Sequence, residues 1–140
     1  MNSFRDRGYN VGMVKKVLLI GHCGPDASYL RLAVQSALKD TAVIPVDDDK
    51  ELSRALTAGA DLLLVNRQLD YGFKTESGVE LIRELHAEHP STRFMLVSNY
   101  PDAQAEAVAA GALPGFGKRE LGSPRVAQAL RSAMGMTEHV

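Results

Sequence analysis

Asn66 stands directly after four consecutive apolar residues, 62–65. Such a run leaves no polar face, which is how a strand buried on both sides of a parallel sheet reads. In open α/β sheets, ligands and chemistry collect just past the carboxyl ends of such strands. A carboxylate or an amide at that place therefore decides much of what the chain can do. The Asn66 nitrogen lone pair is delocalised and its oxygen carries no full charge, so it is no nucleophile. His22 and Cys23 follow the apolar run 16–20 in the same manner. They are a histidine able to accept a phosphoryl group or hold a metal and a thiol able to attack one. Ser98 follows the run 93–97, and Lys118 follows a weaker one, 113–117.

Each reactive type also has a plainer role. No second metal ligand stands at useful spacing from His22, so a hydrogen-bonded turn histidine is the stronger expectation. Low-molecular-weight phosphatases carry an arginine six positions after their cysteine. Here that place is Tyr29, and Arg31 comes too late, so Cys23 is expected to be a loop thiol. The alternative, a phosphotransfer or phosphatase-type enzyme using Cys23 or His22, stays open. Gly21-x-x-Gly24 is too short for a dinucleotide fingerprint. The acidic run 47–49 suits the positive end of a helix dipole and needs no metal.

The elements that must position these residues follow from periodicity. Strands are expected at 16–20, 41–46, 62–65, 93–97 and 113–117, the second with Pro45, which cannot donate a ladder hydrogen bond and so belongs at a sheet edge. Helices are expected at 26–39, 50–58, 77–88, 101–110 and from the Ser123-Pro124 cap onward. Gly59, Pro90 and Gly111 end three of them. The alternation gives one α/β domain: a flavodoxin-like (βα)5 doubly wound sandwich on a five-stranded parallel sheet of order 2-1-3-4-5. Residues 1–13 are expected to be a flexible extension, 14–134 the domain, and 135–140 a tail.

Composition excludes several classes. With a net charge of -1, the chain has no strong pull toward nucleic acid or an anionic membrane. No apolar run approaches the roughly 20 residues of a membrane span. The single cysteine rules out an internal disulfide and a multi-cysteine metal site, and a reducing cytoplasm is the expected compartment.

The (βα)5 order, Asn66 ending strand three, Ser98 ending strand four, Gly111-Ala112 before Lys118, and the 78–82 start of the third helix together resemble a response-regulator receiver domain. The resemblance covers about residues 14–134. It implies a phosphorylation site built from Gly21, His22, Asn66, Ser98 and Lys118. In receivers a strand-three aspartate takes the phosphoryl group. Two acidic residues after strand one help it hold Mg²⁺, and the hydroxyl and the lysine contact the phosphoryl oxygens. Here Asn66 falls on the acceptor, and Gly21 and His22 on the acidic pair. The aromatic switch position is Gly115, with Phe116 beside it, and the proline after the lysine is Arg119.

Two requirements of phosphoryl transfer thus fail together, the nucleophile and the metal carboxylates. The expectation is a degenerate receiver, neither phosphorylated nor enzymatic, with no cofactor and no Mg²⁺, acting in signal transduction through protein contacts. Lys118 must then bond the Asn66 oxygen, reach Asp26 or Asp70, turn to solvent, or draw an anion together with Ser98. The loop 67–76 is longer than is usual in receivers, and Arg67, Tyr71 and Phe73 are candidates to fold over the neighbouring pocket or to form a contact patch. A homodimer through the fourth helix, fifth strand and fifth helix is a further expectation, favoured by the small Ala105, Ala109 and Ala110.

Overall fold

The computed structural model describes residues 15–135. The expected extension 1–13 and all of the tail but Gly135 lie outside the described residues. The strands are β1 (Lys15–Ile20), β2 (Thr41–Val46), β3 (Leu62–Asn66), β4 (Arg93–Val97) and β5 (Leu113–Phe116). All pair in parallel, in the order β2-β1-β3-β4-β5. The helices are α1 (Gly24–Ala37), α2 (Asp49–Ala58), α3 (Gly78–Glu88), α4 (Pro101–Ala109) and α5 (Pro124–Ala133), and a 3-10 turn spans Lys118–Glu120. The expected flavodoxin-like sandwich is the observed one.

Strand side chains alternate between two apolar layers. Leu18, Ile20, Leu63, Val65, Phe94 and Leu96 meet Leu52 of α2, Ile82 of α3 and Ala107 of α4. Val17, Leu19, Leu62, Leu64 and Met95 meet Leu30 of α1 and Leu130 of α5. Both faces are covered, which is why these strands read as unbroken apolar runs. Each fully buried leucine or isoleucine contributes about 1.5–3 kcal/mol relative to an exposed one. Pro45 sits on β2, at the sheet edge.

Helix α1 departs from the expected bounds. It starts at Gly24, two residues ahead of Asp26, with Pro25 in its first turn. Proline there forfeits no intrahelical bond, and its fixed φ suits the helix. Ser77 and Asp48 cap α3 and α2 by accepting the amides of Glu80 and Glu51. With β1 and β3 adjacent, the winding reverses between them. Their carboxyl ends, at Gly21 and Asn66, flank the crevice where such sheets bind ligands.

Candidate functional site

Lys118 follows β5 and reaches back across the crevice. Its Nζ donates to Asp26 Oδ2 at 2.7 Å and to Asn66 Oδ1 at 3.1 Å. Of the options open to this lysine, the structure takes two at once, and Asp70 is not among them. The Lys118 hydrogen bond, first, holds the Asp26 carboxyl below its ordinary value of 3.8; the Cys23 thiol adds to the effect. Asp26 is on the exposed first turn of α1, and Cys23, also exposed, is the residue before that helix.

Both ends of the Asn66 amide are engaged. Its oxygen faces Lys118, and its Nδ2 donates to the carbonyl of Gln68 at 2.8 Å. A carboxylate at this place would set an oxygen against that carbonyl. Local geometry thus favours an amide, independently of any chemistry at the site.

Gly21 and His22 do not join this cluster. Gly21 has φ +74, a conformation that side chains with a Cβ resist. A Cβ added there would lie 2.6 Å from Leu69 Cδ2 and 3.7 Å from Phe73 Cε2. The chain turns at Gly21, and the His22 ring enters the interior, only 7% exposed. Its Nε2 bonds the carbonyl of Leu64 at 2.9 Å. A carbonyl only accepts, so Nε2 carries the proton and the neutral ring is the Nε2–H tautomer. Burial pushes the His22 pKa down from 6.5 to about 4, against the opposing pull of the Leu64 bond. His22 is the hydrogen-bonded turn histidine expected from its surroundings.

The loop after β3 is zipped on itself. Gly78 N donates to Arg67 O and Leu69 N to Glu76 O, each at 2.8 Å. Leu69 and Phe73 are buried in the α2–α4 layer. Phe73 is therefore a core residue rather than part of a contact patch. The sequence signal for this was a pair of apolar residues four apart in a polar loop, opposite a glycine. Tyr71 stands 99% exposed at the loop tip. Arg67 lies over the ring of Tyr100 at 4.7 Å and ties this loop to the start of α4.

Ser98, at the end of β4, is buried, and its Oγ accepts the amide of Tyr100 at 3.1 Å. Asn66, Arg67, Ser98, Tyr100 and Lys118 line one shallow cleft of about 210 Å³. The structure thus brings together Asn66, Ser98 and Lys118, adds Asp26 and Arg67, and leaves Gly21, His22, Tyr71 and Phe73 outside. Mg²⁺ takes oxygen ligands in near-octahedral array. The oxygens nearest Lys118 are Asn66 Oδ1 and the Asp26 carboxylate, both held by its ammonium, and the Ser98 hydroxyl and Gln68 carbonyl are engaged with Tyr100 and Asn66. Gly21 brings no side chain, and His22 is turned to Leu64. This donor set does not fit the ion.

No protein-family model matches the sequence, and no curated protein matches it. Solved structures do. The signal receiver domain of a DNA binding response regulator from Colwellia psychrerythraea 34H superposes with a TM-score of 0.68 at 14% identity, over 87% of this chain and 99% of its own. A response regulator from Thermotoga maritima gives 0.66 at 22% identity, over 88% and 99%. NtrX from Brucella abortus gives 0.69 at 19% identity over 88% of this chain, which spans only 28% of that longer protein.

The fold is the receiver fold. At these identities the likeness concerns architecture, and each receiver position is carried over by its place in that architecture. Asn66 ends the third strand, Ser98 follows the fourth, and Lys118 follows the fifth. Among the described residues, no helix is long and apolar enough to cross a membrane.

Proposed function

We propose that this chain is a pseudo-receiver: a cytoplasmic signal-transduction module of receiver fold that is not phosphorylated at the strand-three position and acts through protein contacts. The observation that carries this is the Asp26–Lys118–Asn66 arrangement. In a phosphorylatable receiver the lysine meets phosphoryl oxygens and an acidic cluster. Here it is satisfied by Asp26, on another helix, and by a neutral amide. The module binds no Mg²⁺ and is not an enzyme. His22 Nε2 is bonded to Leu64 and its other nitrogen, Nδ1, is buried away from the cleft, while Cys23 stands beside the carboxylate of Asp26.

The partner-binding face proposed is that of α4, β5 and α5, in a homodimer or with another protein. Ala105 and Ala109 are exposed on α4, with Val108 45% and Leu113 36% exposed nearby. Small side chains let a second backbone approach closely. Light scattering at high concentration is expected to give a mass above the monomer; a monomer mass only would remove the homodimer.

Incubation with acetyl phosphate and Mg²⁺, followed by intact mass, tests the proposal. No adduct is expected. An adduct lost in Cys23→Ser or His22→Ala would establish the enzymatic alternative. One retained in both would point to another acceptor and would equally overturn the proposal.

A further inference from the structure

The seam between β4 and β5 is broken, and one side chain from α4 fills the break. From Met95 to Val97 on β4, the partner strand runs from Leu113 to Phe116, so β5 carries an extra residue. Pro114 and Gly115 occupy that bulge, and Pro114 has no amide hydrogen. Gly115 is buried, so its backbone groups need partners. Its N–H donates to Gln104 Oε1 at 3.2 Å, and its carbonyl accepts from Arg125 at 3.5 Å. A side chain meets each.

The other end of the same amide faces β4. Gln104 Nε2 lies 2.9 Å from the carbonyl of Leu96, 3.1 Å from that of Ser98 and 3.3 Å from that of Phe116. Its two hydrogens serve three acceptors, so one is shared. A primary amide has the donor and acceptor of a peptide unit in one plane. Gln104 accepts from Gly115 of β5 and donates at the shortest distance to Leu96 of β4, much as an inserted peptide group would. The space is otherwise closed: a Cβ on Gly115 would collide with the Leu96 carbonyl and lie 2.9 Å from Gln104 Oε1.

We infer that Gln104 is a positioning residue whose side-chain amide completes the β4–β5 ladder and thereby clamps α4 in one conformation. The clamp bears on both ends of the cleft. The Ser98 and Phe116 carbonyls that Gln104 touches precede the loops carrying Tyr100 and Lys118. This deepens the phosphorylation-independent reading, on which its functional meaning rests: the α4–β5 face is a fixed surface, recognised by its partner in the shape it always has.

Amide hydrogen exchange and relaxation dispersion on the full chain test this, in wild type, Gln104→Met and Gln104→Glu. Methionine keeps the length and volume without the amide. Glutamate keeps an acceptor but turns a carboxylate toward three carbonyls. In both variants the Gly115 amide is expected to lose roughly tenfold or more of its protection, while Leu18 and Leu64 in the central strands keep theirs. Residues 105–108 of α4 are expected to show microsecond-to-millisecond exchange in the variants and none in wild type. Unchanged Gly115 protection in Gln104→Met would overturn the inference. So would wild-type protection in Gln104→Glu, since the donor half would then contribute nothing. Loss of protection throughout β1 and β3 would overturn it too, because the amide would then support the whole sheet rather than one seam. Failure of the phosphorylation-independent reading shows instead as a mass adduct, so the two failures are distinguishable.

Discussion

Lys118 and Asp26, 92 positions apart, are joined by a 2.7 Å hydrogen bond across the crevice at the top of the sheet. The pair binds the segment after β5 to the first turn of α1. Asn66 supplies a second, neutral acceptor to the same ammonium at 3.1 Å. A cation that would otherwise stand without an anionic partner is thereby satisfied within the chain, with nothing added to the cleft.

The strength of that pair is measurable. The two side chains are 28% and 36% exposed, so solvent screens them substantially. A double-mutant cycle with Lys118→Met and Asp26→Asn is expected to give a coupling of about 0.5–1 kcal/mol, smaller in high salt. The Asp26 carboxyl lies below 3.8 in the folded chain, chiefly through the Lys118 hydrogen bond. Its contribution is complete above the unfolded value and is lost as pH falls through the lower folded value. Carboxyl-carbon titration by NMR is expected to show the depression in wild type and most of it gone in Lys118→Met.

His22 sets a different pH window. Its folded pKa is about 4 against 6.5 unfolded, so the unfolded chain binds the extra proton first. Stability from the neutral ring is complete above 6.5 and is lost as pH falls from 6.5 toward 4, by about 3 kcal/mol at most. Urea unfolding across that range is expected to be flatter in His22→Gln than in wild type. An imidazole titrating near 6.5 in the folded chain would contradict the burial of the His22 ring.

Gly21 resists substitution on two counts. Its φ of +74 costs a residue with a Cβ about 1–2 kcal/mol. The approach of Leu69 Cδ2 at 2.6 Å adds to this. Gly21→Ala is expected to lower stability by about 2 kcal/mol or more. Combining it with Leu69→Ala should give less than the sum of the two single losses, because the contact is removed once. Additive losses would show that the backbone conformation alone is responsible.

Most of the fold was legible because the strands are buried on both faces. The spans 41–46 and 93–97 were assigned at their observed ends, and Pro45 marked the edge. The start of α1 was not, since Gly24-Pro25 has the composition of a turn as well as that of a helix entry. At the site, the types of Asn66, Ser98 and Lys118 pointed to one cleft. The partner of Lys118 did not follow from sequence, because Asp26 and Asp70 are both within reach on paper and only the packed α1 decides. The inward turn of His22 depends on one backbone angle at Gly21, which a sequence does not display. The burial of Phe73 does not follow from sequence because its loop is polar around it, while the glycine that makes room for it is 52 positions earlier. Gln104 was missed altogether; the signal was Pro114-Gly115 inside a strand, where a ladder needs a substitute donor and acceptor.

On the pseudo-receiver proposal the phosphorylation site is lost at several positions together, and not at Asn66 alone. Asn66→Asp restores the nucleophile and nothing else. Gly21 still offers no carboxylate, His22 still faces Leu64, and Lys118 still holds Asp26. The decisive measurement is the intact mass of folded Asn66→Asp after acetyl phosphate and Mg²⁺. No phosphoryl adduct is expected unless positions 21 and 22 are also made acidic. An adduct on Asn66→Asp alone would contradict the proposal, showing that a single amide separates this chain from a phosphorylatable receiver.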